Sequence, residues 1–142
     1  MTHPKTHIKL SKNSLEIEHV FELLKEDHVG GIELFIGTVR NHNQSKEVVE
    51  LQFSAYEPMA IKEMQDIANY CLENFEIEKI VIQHALGSLK IGDLPVIIGV
   101  SSIHREAAQL ACKYAIDTLK ETVPIWKKEF WSDGSHWVNA HP

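Results

Sequence analysis

The sequence predicts an α+β fold in a single domain, with a largely antiparallel sheet and helices packed on one face. Segments in which apolar and polar residues alternate, as in half-buried strands, are separated by three segments whose apolar residues recur every three or four positions, as in helices. The predicted order is β-α-β-β-α-β-β-α with short strands at the tail, so hairpin-like neighbours dominate over βαβ crossovers. With 142 residues and 44% hydrophobic composition, residues 1–142 have the size of one compact domain.

The first predicted elements are a short strand over His7–Leu10 and a helix. Asn13 is in position to cap this helix, and Glu16 three residues later would complete a capping box. The apolar residues of the helix fall on one face: Ile17, Val20, Phe21 and Leu24. We expect the glycine pair at Gly30 and Gly31 to end it.

Two strands follow, joined by a polar loop. Alternation over Ile32–Val39 predicts a strand that carries Arg40 at its end. After the polar segment Arg40–Ser45, the next strand has four apolar side chains on one face: Val49, Leu51, Phe53 and Ala55. We expect the two strands to pair as a hairpin across the loop.

The middle of the chain predicts a helix and two further strands. Pro58 suits the first turn of a helix, and a broad apolar stripe runs from Ala60 to Phe75. Strands are predicted over Ile80–His84 and Val96–Val100, with a turn-rich connection over Gly87–Asp93 between them.

The last predicted helix runs from His104 to about Lys120, and its many alanines permit close packing on a sheet. Pro124 stops this helix, so we expect an extended tail that turns at Asp133-Gly134 and returns through Trp137.

Charge and cysteine content restrict the possible functions. The net charge of -6, from 14 Lys+Arg against 20 Asp+Glu, argues against nucleic-acid or anionic-membrane binding, so an anion site must be local. Cys71 and Cys112 lack CxxC spacing, and neither a signal peptide nor an 18-residue apolar run is evident. We expect a reducing, cytoplasmic setting.

Several familiar site chemistries have no motif in this chain. The nine histidines form no HExxH or comparable ligand cluster, and the sequence has no GxSxG elbow, Walker loop or GxGxxG. We therefore predict no metal site and no cofactor. Cys112 lies on an apolar helical stripe, which favours a buried structural thiol over a nucleophile.

Basic side chains lie at the ends of predicted elements: Arg40, His104, Arg105, Lys120, Lys127 and Lys128. The helix start at His104 also offers free backbone N–H groups and the positive end of a helix dipole. Together these groups predict an anion pocket. Taken singly, Arg40 is typical of a solvated loop residue and Lys120 of compensation for the helix dipole.

Lys127 is the strongest candidate for acid–base chemistry. It follows Trp126, and we expect apolar neighbours to lower the lysine pKa enough for proton transfer near neutral pH. In an extended segment Lys128 points the other way, as a surface or interface charge. The three tryptophans are expected to be core or interface anchors, and Phe35 lines either a site or a subunit contact.

These residues belong to five blocks that occur in order: Phe35–Asn43, Ala55–Ala60, Gly87–Leu89 with Gly92-Asp93, Ser102–Arg105 and Val123–Glu129. Together the blocks resemble the catalytic (large) subunit of molybdopterin synthase. The resemblance implies an α/β-hammerhead-like fold and a homodimer with one small subunit at each end, a heterotetramer whose pockets draw residues from both large subunits.

The activity that the resemblance implies is a sulfurtransferase step in molybdenum cofactor biosynthesis. Cyclic pyranopterin monophosphate (precursor Z), a pterin phosphate, would be converted to the dithiolene molybdopterin. The sulfur would arrive on a small ubiquitin-like sulfur-carrier subunit whose C-terminal Gly-Gly thiocarboxylate enters the pocket.

The same resemblance implies roles for individual residues. Lys120 and Lys127 match the two active-site lysines, with Lys127 as general acid/base and Lys120 positioning the thiocarboxylate or an acyl intermediate. Arg40, His104 and Arg105 match the family's substrate-anion residues. Thr38 and Val39 lie in a matched block and are candidate substrate contacts through side chain or backbone. Lys128 and Glu129 lie in the same matched block as Lys127 and are further candidate substrate contacts.

Two positions depart from the family pattern. Ala85 follows His84 where an arginine is usual, so one basic group is absent. The short tail ends without an arginine, and His141 would be a weaker anion partner.

Two other classes of function remain open from the residues alone. One is a non-catalytic module that binds a phosphorylated metabolite through the cationic cluster. The other is an interaction subunit in which Trp126, Trp131 and Phe35 are interface anchors and the charges form a rim.

Overall fold

The computed structural model describes residues 5–139 and confirms the α+β class. Its elements in chain order are β1 (Thr6–Ser11), α1 (Ile17–Leu24), β2 (Gly31–Gly37), β3 (His42–Asn43), β4 (Lys46–Ala55), α2 (Glu57–Asn74), β5 (Lys79–Ala85), β6 (Gly87–Lys90), β7 (Val96–Ser102), α3 (Arg105–Thr122), β8 (Ile125–Trp131) and β9 (His136–Asn139). Within this part of the chain, no helix has the length and apolar character needed to cross a membrane. His141 lies outside the described residues.

The first sheet has the strand order β1-β5-β7-β2, with β1 parallel to β5 and the other pairs antiparallel. Its central strands are buried on both faces, because helices cover both sides. Helices α2 and α3 cover one face of this sheet. Helix α1 packs against the other face through Val20 and Leu24, so the helices are not confined to one face as the sequence predicts. These two side chains approach Gly99 on β7, where a Cβ atom would lie only 2.5 Å from Leu24 Cδ1.

The second sheet has the order β3-β4-β8-β9, and β6 also pairs with β4. In this sheet Phe53 of β4 lies opposite Lys127 of β8. The segment predicted as a turn-rich connection contains the four-residue strand β6, so that prediction is wrong for Gly87–Lys90. The turn in this segment follows β6 at Ile91-Gly92, where Asp93 N–H donates to Lys90 O, and Gly87 and Gly92 have φ values of 93° and 89°.

The predicted hairpin between β2 and β4 is wrong. β2 pairs with β7, whereas β4 pairs with the short β3. After Gly37 the chain continues beside the segment that leads into β7, where Val39 N–H donates to Asp93 O and the Val39 carbonyl accepts from Gly92 N–H. A β-bulge between Val48 and Glu50 then buries Val48 and leaves Val49, which belongs to the predicted apolar face, 48% exposed.

The capping box predicted for α1 is also wrong. The helix begins four residues after Asn13, and no side chain caps it. A tertiary bond holds the preceding loop instead, since Leu15 N–H donates to Leu94 O. The helix already ends at Leu24 rather than at the glycine pair. Of its four predicted apolar residues, Val20 and Leu24 are buried, and Ile17 and Phe21 are exposed.

Helices α2 and α3 follow their predictions closely. Pro58 lies in the first turn of α2. The helices pack closely enough for Cys71 Sγ to lie 3.7 Å from the carbonyl oxygen of Ala111. Cys112 is buried, as predicted, and burial raises the pKa of both thiols to about 12. Both cysteines therefore remain protonated thiols at neutral pH.

Candidate functional site

A cavity of about 320 Å³ opens where the two sheets meet the C-terminal end of α3. Its apolar wall is formed by side chains from three strands, the β6–β7 connection and α3: Phe35, Val48, Leu51, Phe53, Pro95, Val96, Ile116 and Leu119. Its polar lining residues are Thr38, Arg40, His42, His84, Lys120, Lys127 and Glu129. Phe35, for which the sequence left a site or a subunit contact open, lines this cavity.

The two lysines reach the cavity from different elements, as the break at Pro124 predicts. Lys120 lies in the last turn of α3, and the helix ends where Val123 N–H donates to Leu119 O. Pro124 then redirects the chain into β8, which carries Lys127. In a single continuous helix both lysines would project from the same element. Here they enter one cavity from two different elements, α3 and β8.

Lys127 is partly buried, with 22% of its side chain exposed. Burial lowers its pKa, and the nearby cations Lys120 and Arg40 act in the same direction, whereas Glu129 opposes them. The predicted direction of this pKa shift is therefore confirmed. A lysine with a lowered pKa is neutral in a larger share of molecules near pH 7, so it can both accept and donate a proton.

Glu129 is the fixed acidic group of the cavity. It is only 3% exposed, and its carboxylate accepts hydrogen bonds from Asn43 Nδ2 at 3.1 and 3.2 Å and from Trp131 Nε1 at 2.8 Å. Its Oε2 lies 3.9 Å from Lys127 Nζ. The two residues are two positions apart on β8, so their side chains lie on the same face of the strand. The hydrogen bonds from Asn43 and Trp131 fix the Glu129 carboxylate beside the Lys127 amine.

The loop after β2 places its three candidate residues differently. Thr38 and Arg40 are exposed and line the cavity. Val39 lies between them with its side chain 2% exposed, in the core, and it is not part of the lining. The backbone N–H and carbonyl of Val39 are both bonded to the Gly92-Asp93 turn.

The remaining predicted cations do not reach this cavity within one chain. His104 and Arg105 lie at the opposite end of α3, about 22 Å from Lys120 at the rise of an α-helix. There they line a separate pocket with Gly30 and Gln109. The single cationic wall expected from the sequence is thus not formed by one chain alone.

Lys128 also lies away from the cavity, on the other face of β8, where its Nζ is 5.0 Å from the centroid of the Phe130 ring. The prediction that it points away from Lys127 is confirmed.

Three polar residues of the site are not among those predicted from the sequence: His42, Asn43 and His84. His84 is predicted only as part of a strand. A histidine at the end of the apolar run from Ile80 is nevertheless a polar group in a buried strand, and this marks it as a candidate site residue. Asn43 was assigned to a polar loop, and nothing local to it points to a bond with Glu129.

Comparison with known proteins agrees with this architecture. The family model described as MoaE protein matches residues 10–122. A molybdopterin synthase catalytic subunit from Dictyostelium discoideum is 43% identical over 90% of this chain and 82% of its own length. The crystal structure of molybdopterin synthase from Staphylococcus aureus superposes with a TM-score of 0.87 at 34% identity, covering 93% of this chain and 96% of the other.

A more distant structure shares the fold. It is a complex of subunits 1 and 2 of molybdopterin-converting factor from Helicobacter pylori, 19% identical, with a TM-score of 0.78, covering 95% of this chain and 93% of the other. The extent of the family match and the identity to the Dictyostelium protein decide the assignment: this chain belongs to the MoaE family of molybdopterin synthase catalytic subunits, which act in molybdenum cofactor biosynthesis.

Proposed function

We propose that this chain catalyses sulfur transfer from the C-terminal thiocarboxylate of a small ubiquitin-like subunit to cyclic pyranopterin monophosphate, forming the dithiolene of molybdopterin. The observation that carries the proposal is the convergence of Lys120 and Lys127 on one cavity beside Arg40. An apolar wall suits the flat pterin ring, and the cations suit the phosphate and the thiocarboxylate.

Each lysine has a separate role in this proposal. Lys127, with its lowered pKa, moves protons as sulfur adds to the pterin side chain. Lys120, exposed at the end of α3, holds the thiocarboxylate or an acyl intermediate. Arg40 and Thr38 contact the substrate, and Glu129 keeps the Lys127 amine in position.

The sulfur comes from a partner in this proposal, and the state of the chain's own thiols supports that step. Its two cysteines, Cys71 and Cys112, are both buried with pKa values near 12, and neither lines the cavity. The two-subunit assembly of the Helicobacter pylori relative also supports a small subunit as partner. The Gly-Gly tail of this subunit would enter beside Lys120.

We further propose that the active assembly contains two copies of this chain, with a small subunit at each end. His104 and Arg105 are exposed and lie far from their own chain's lysines. In a homodimer they would complete the anion site of the other copy, and Val39, Lys128 and Glu129 would contribute contacts or support within each copy.

The test is reconstitution of the reaction. The protein is mixed with a thiocarboxylated small subunit and precursor Z, and dithiolene product is measured. The control uses the same small subunit with an ordinary C-terminal carboxylate, which carries no sulfur to transfer. Absence of product with a small subunit that is competent with another catalytic subunit would refute the proposal. A Lys127→Ala variant that keeps full sulfur transfer would favour a non-catalytic binding module.

A further inference from the structure

His84 lies at the floor of the cavity and has no part in the mechanism above. It occupies the end of β5, is 1% exposed, and lines the same cavity as Lys120 and Lys127. The Phe53 ring stands edge-on to the imidazole, with 5.0 Å between ring centroids. The ring is therefore held in one orientation by the packing of the second sheet.

The hydrogen bonding of His84 defines its tautomer. Its Nδ1 lies 2.7 Å from the carbonyl oxygen of Ala85, and a carbonyl oxygen can only accept. The proton is therefore on Nδ1, and Nε2 carries a lone pair. Burial also lowers the pKa of His84 to about 4, so the ring stays neutral at physiological pH.

Nε2 of His84 has no hydrogen-bond partner among the described residues and borders the cavity. Every fully buried side-chain nitrogen and oxygen in the described part of the chain has a hydrogen-bond partner. Among these same residues, the only hydrogen bond that His84 makes through its ring is the one from Nδ1. Nε2 is therefore accessible, and the space beside this residue is the cavity.

The cations and the carboxylate that line the cavity are poorly suited to this role. Arg40, Lys120 and Lys127 are donors when charged, and they suit anions. The Glu129 carboxylate is already bonded to Asn43 and Trp131 and lies beside Lys127. A buried neutral acceptor on an apolar floor suits a neutral N–H group rather than a phosphate.

We propose that His84 Nε2 accepts a hydrogen bond from a ring N–H of the pterin substrate and so fixes which way the ring enters the cavity. This inference rests on the proposed function. The cations would hold the anionic end of the substrate, and His84 would recognise its neutral ring. Ligands that carry a phosphate but no pterin ring would not bond to His84 Nε2.

The direct test is nitrogen NMR of the wild-type full chain labelled with ¹⁵N-histidine. The Nε2 resonance of His84, assigned with the His84→Gln variant, should shift on addition of precursor Z, because its lone pair becomes a hydrogen-bond acceptor. Inorganic phosphate is the matched ligand control and should leave this resonance in place. An unchanged resonance at saturating precursor, or an equal shift with phosphate or with the small subunit's tail alone, would overturn the inference.

Two variants provide a second readout, the affinity for precursor Z measured by calorimetry without turnover. His84→Phe keeps a ring against Phe53 but removes the acceptor, and it should weaken binding about three- to tenfold. His84→Gln carries a carbonyl oxygen at a similar reach and should retain most of the affinity. Circular dichroism checks that both variants are folded. If His84→Phe is unfolded, the NMR experiment on the wild-type chain still tests the inference.

The proposed function and the role of His84 would be refuted by different results. If the wild-type protein neither binds nor converts precursor Z with a competent small subunit, both the proposed function and this inference are wrong. If it binds and converts precursor while His84→Phe binds as tightly as wild type, only the inference about His84 is wrong.

Discussion

Lys127 and Glu129 lie on one face of β8, with 3.9 Å between Lys127 Nζ and Glu129 Oε2. Burial of the lysine and the charge of the glutamate shift the Lys127 pKa in opposite directions. Burial lowers the Lys127 pKa, and the Glu129 charge raises it. Because Asn43 and Trp131 fix the carboxylate, the opposing effect of Glu129 is built into the folded chain. The pair therefore sets the pH at which Lys127 exchanges its proton.

Glu129→Gln tests this relationship with little change of shape. Removing the charge removes the main influence that raises the Lys127 pKa, so this pKa should fall further. The limb of the pH–rate profile that reports Lys127 should move to lower pH, whether the lysine acts as acid or base. The measurement is kcat/KM for sulfur transfer across pH. A profile that keeps its position while only its height changes would contradict the coupling.

Lys127→Ala should lower the rate of sulfur transfer about 10²- to 10⁴-fold, the usual contribution of a positioned acid–base group. The fold should survive, since the lysine is only partly buried and its removal leaves no large core cavity. Lys113→Ala is the matched control: this exposed lysine on α3 pairs with Asp117 and lies outside the cavity lining. Equal losses in the two variants would show that general charge, rather than the site, controls the rate.

Much of the fold was predictable because periodicity is a local property of the chain. The stripe from Ala60 identifies α2, and the break at Pro124 correctly predicts that Lys120 and Lys127 arrive from two elements. Strand pairing is not local in this way. The partner of β2 is β7 rather than the next strand, and the backbone of Val39 then bonds to the Gly92-Asp93 turn that precedes β7.

The same distinction applies to the site. Cations at element ends are visible in the sequence, and the lowered pKa of Lys127 follows from its apolar neighbours. The bond from Asn43 to Glu129 joins residues 86 positions apart, so neither residue's neighbourhood could predict it. His104 and Arg105 were grouped with the lysines on charge alone, and the length of α3 separates them within one chain.

Gly99→Ala should destabilise the protein. The new Cβ would lie 2.5 Å from Leu24 Cδ1 and 2.9 Å from Leu34 Cδ2, in a region where Leu24 is fully buried. Overpacking of this kind costs about 1–3 kcal/mol of the free energy of unfolding, measurable by urea denaturation. In a Leu24→Ala background the added cost should shrink, because the space is then available. Additive effects of the two substitutions would contradict direct contact as the cause.

Complementation between inactive variants tests whether His104 and Arg105 act on the other copy's cavity. Lys127→Ala and Arg105→Ala should each be nearly inactive, but a heterodimer of the two would contain one intact site, built from Lys127 of one chain and Arg105 of the other. Random exchange of subunits in a two-fold dimer should then restore about a quarter of the wild-type activity. The measurement is sulfur transfer after co-refolding equal amounts of the two variants, with each variant refolded alone as control.

If Arg105 served its own chain's cavity instead, both sites of the heterodimer would be defective and mixing would restore nothing. The 18-residue length of α3, which keeps the two residues apart within one chain, leads us to expect recovery.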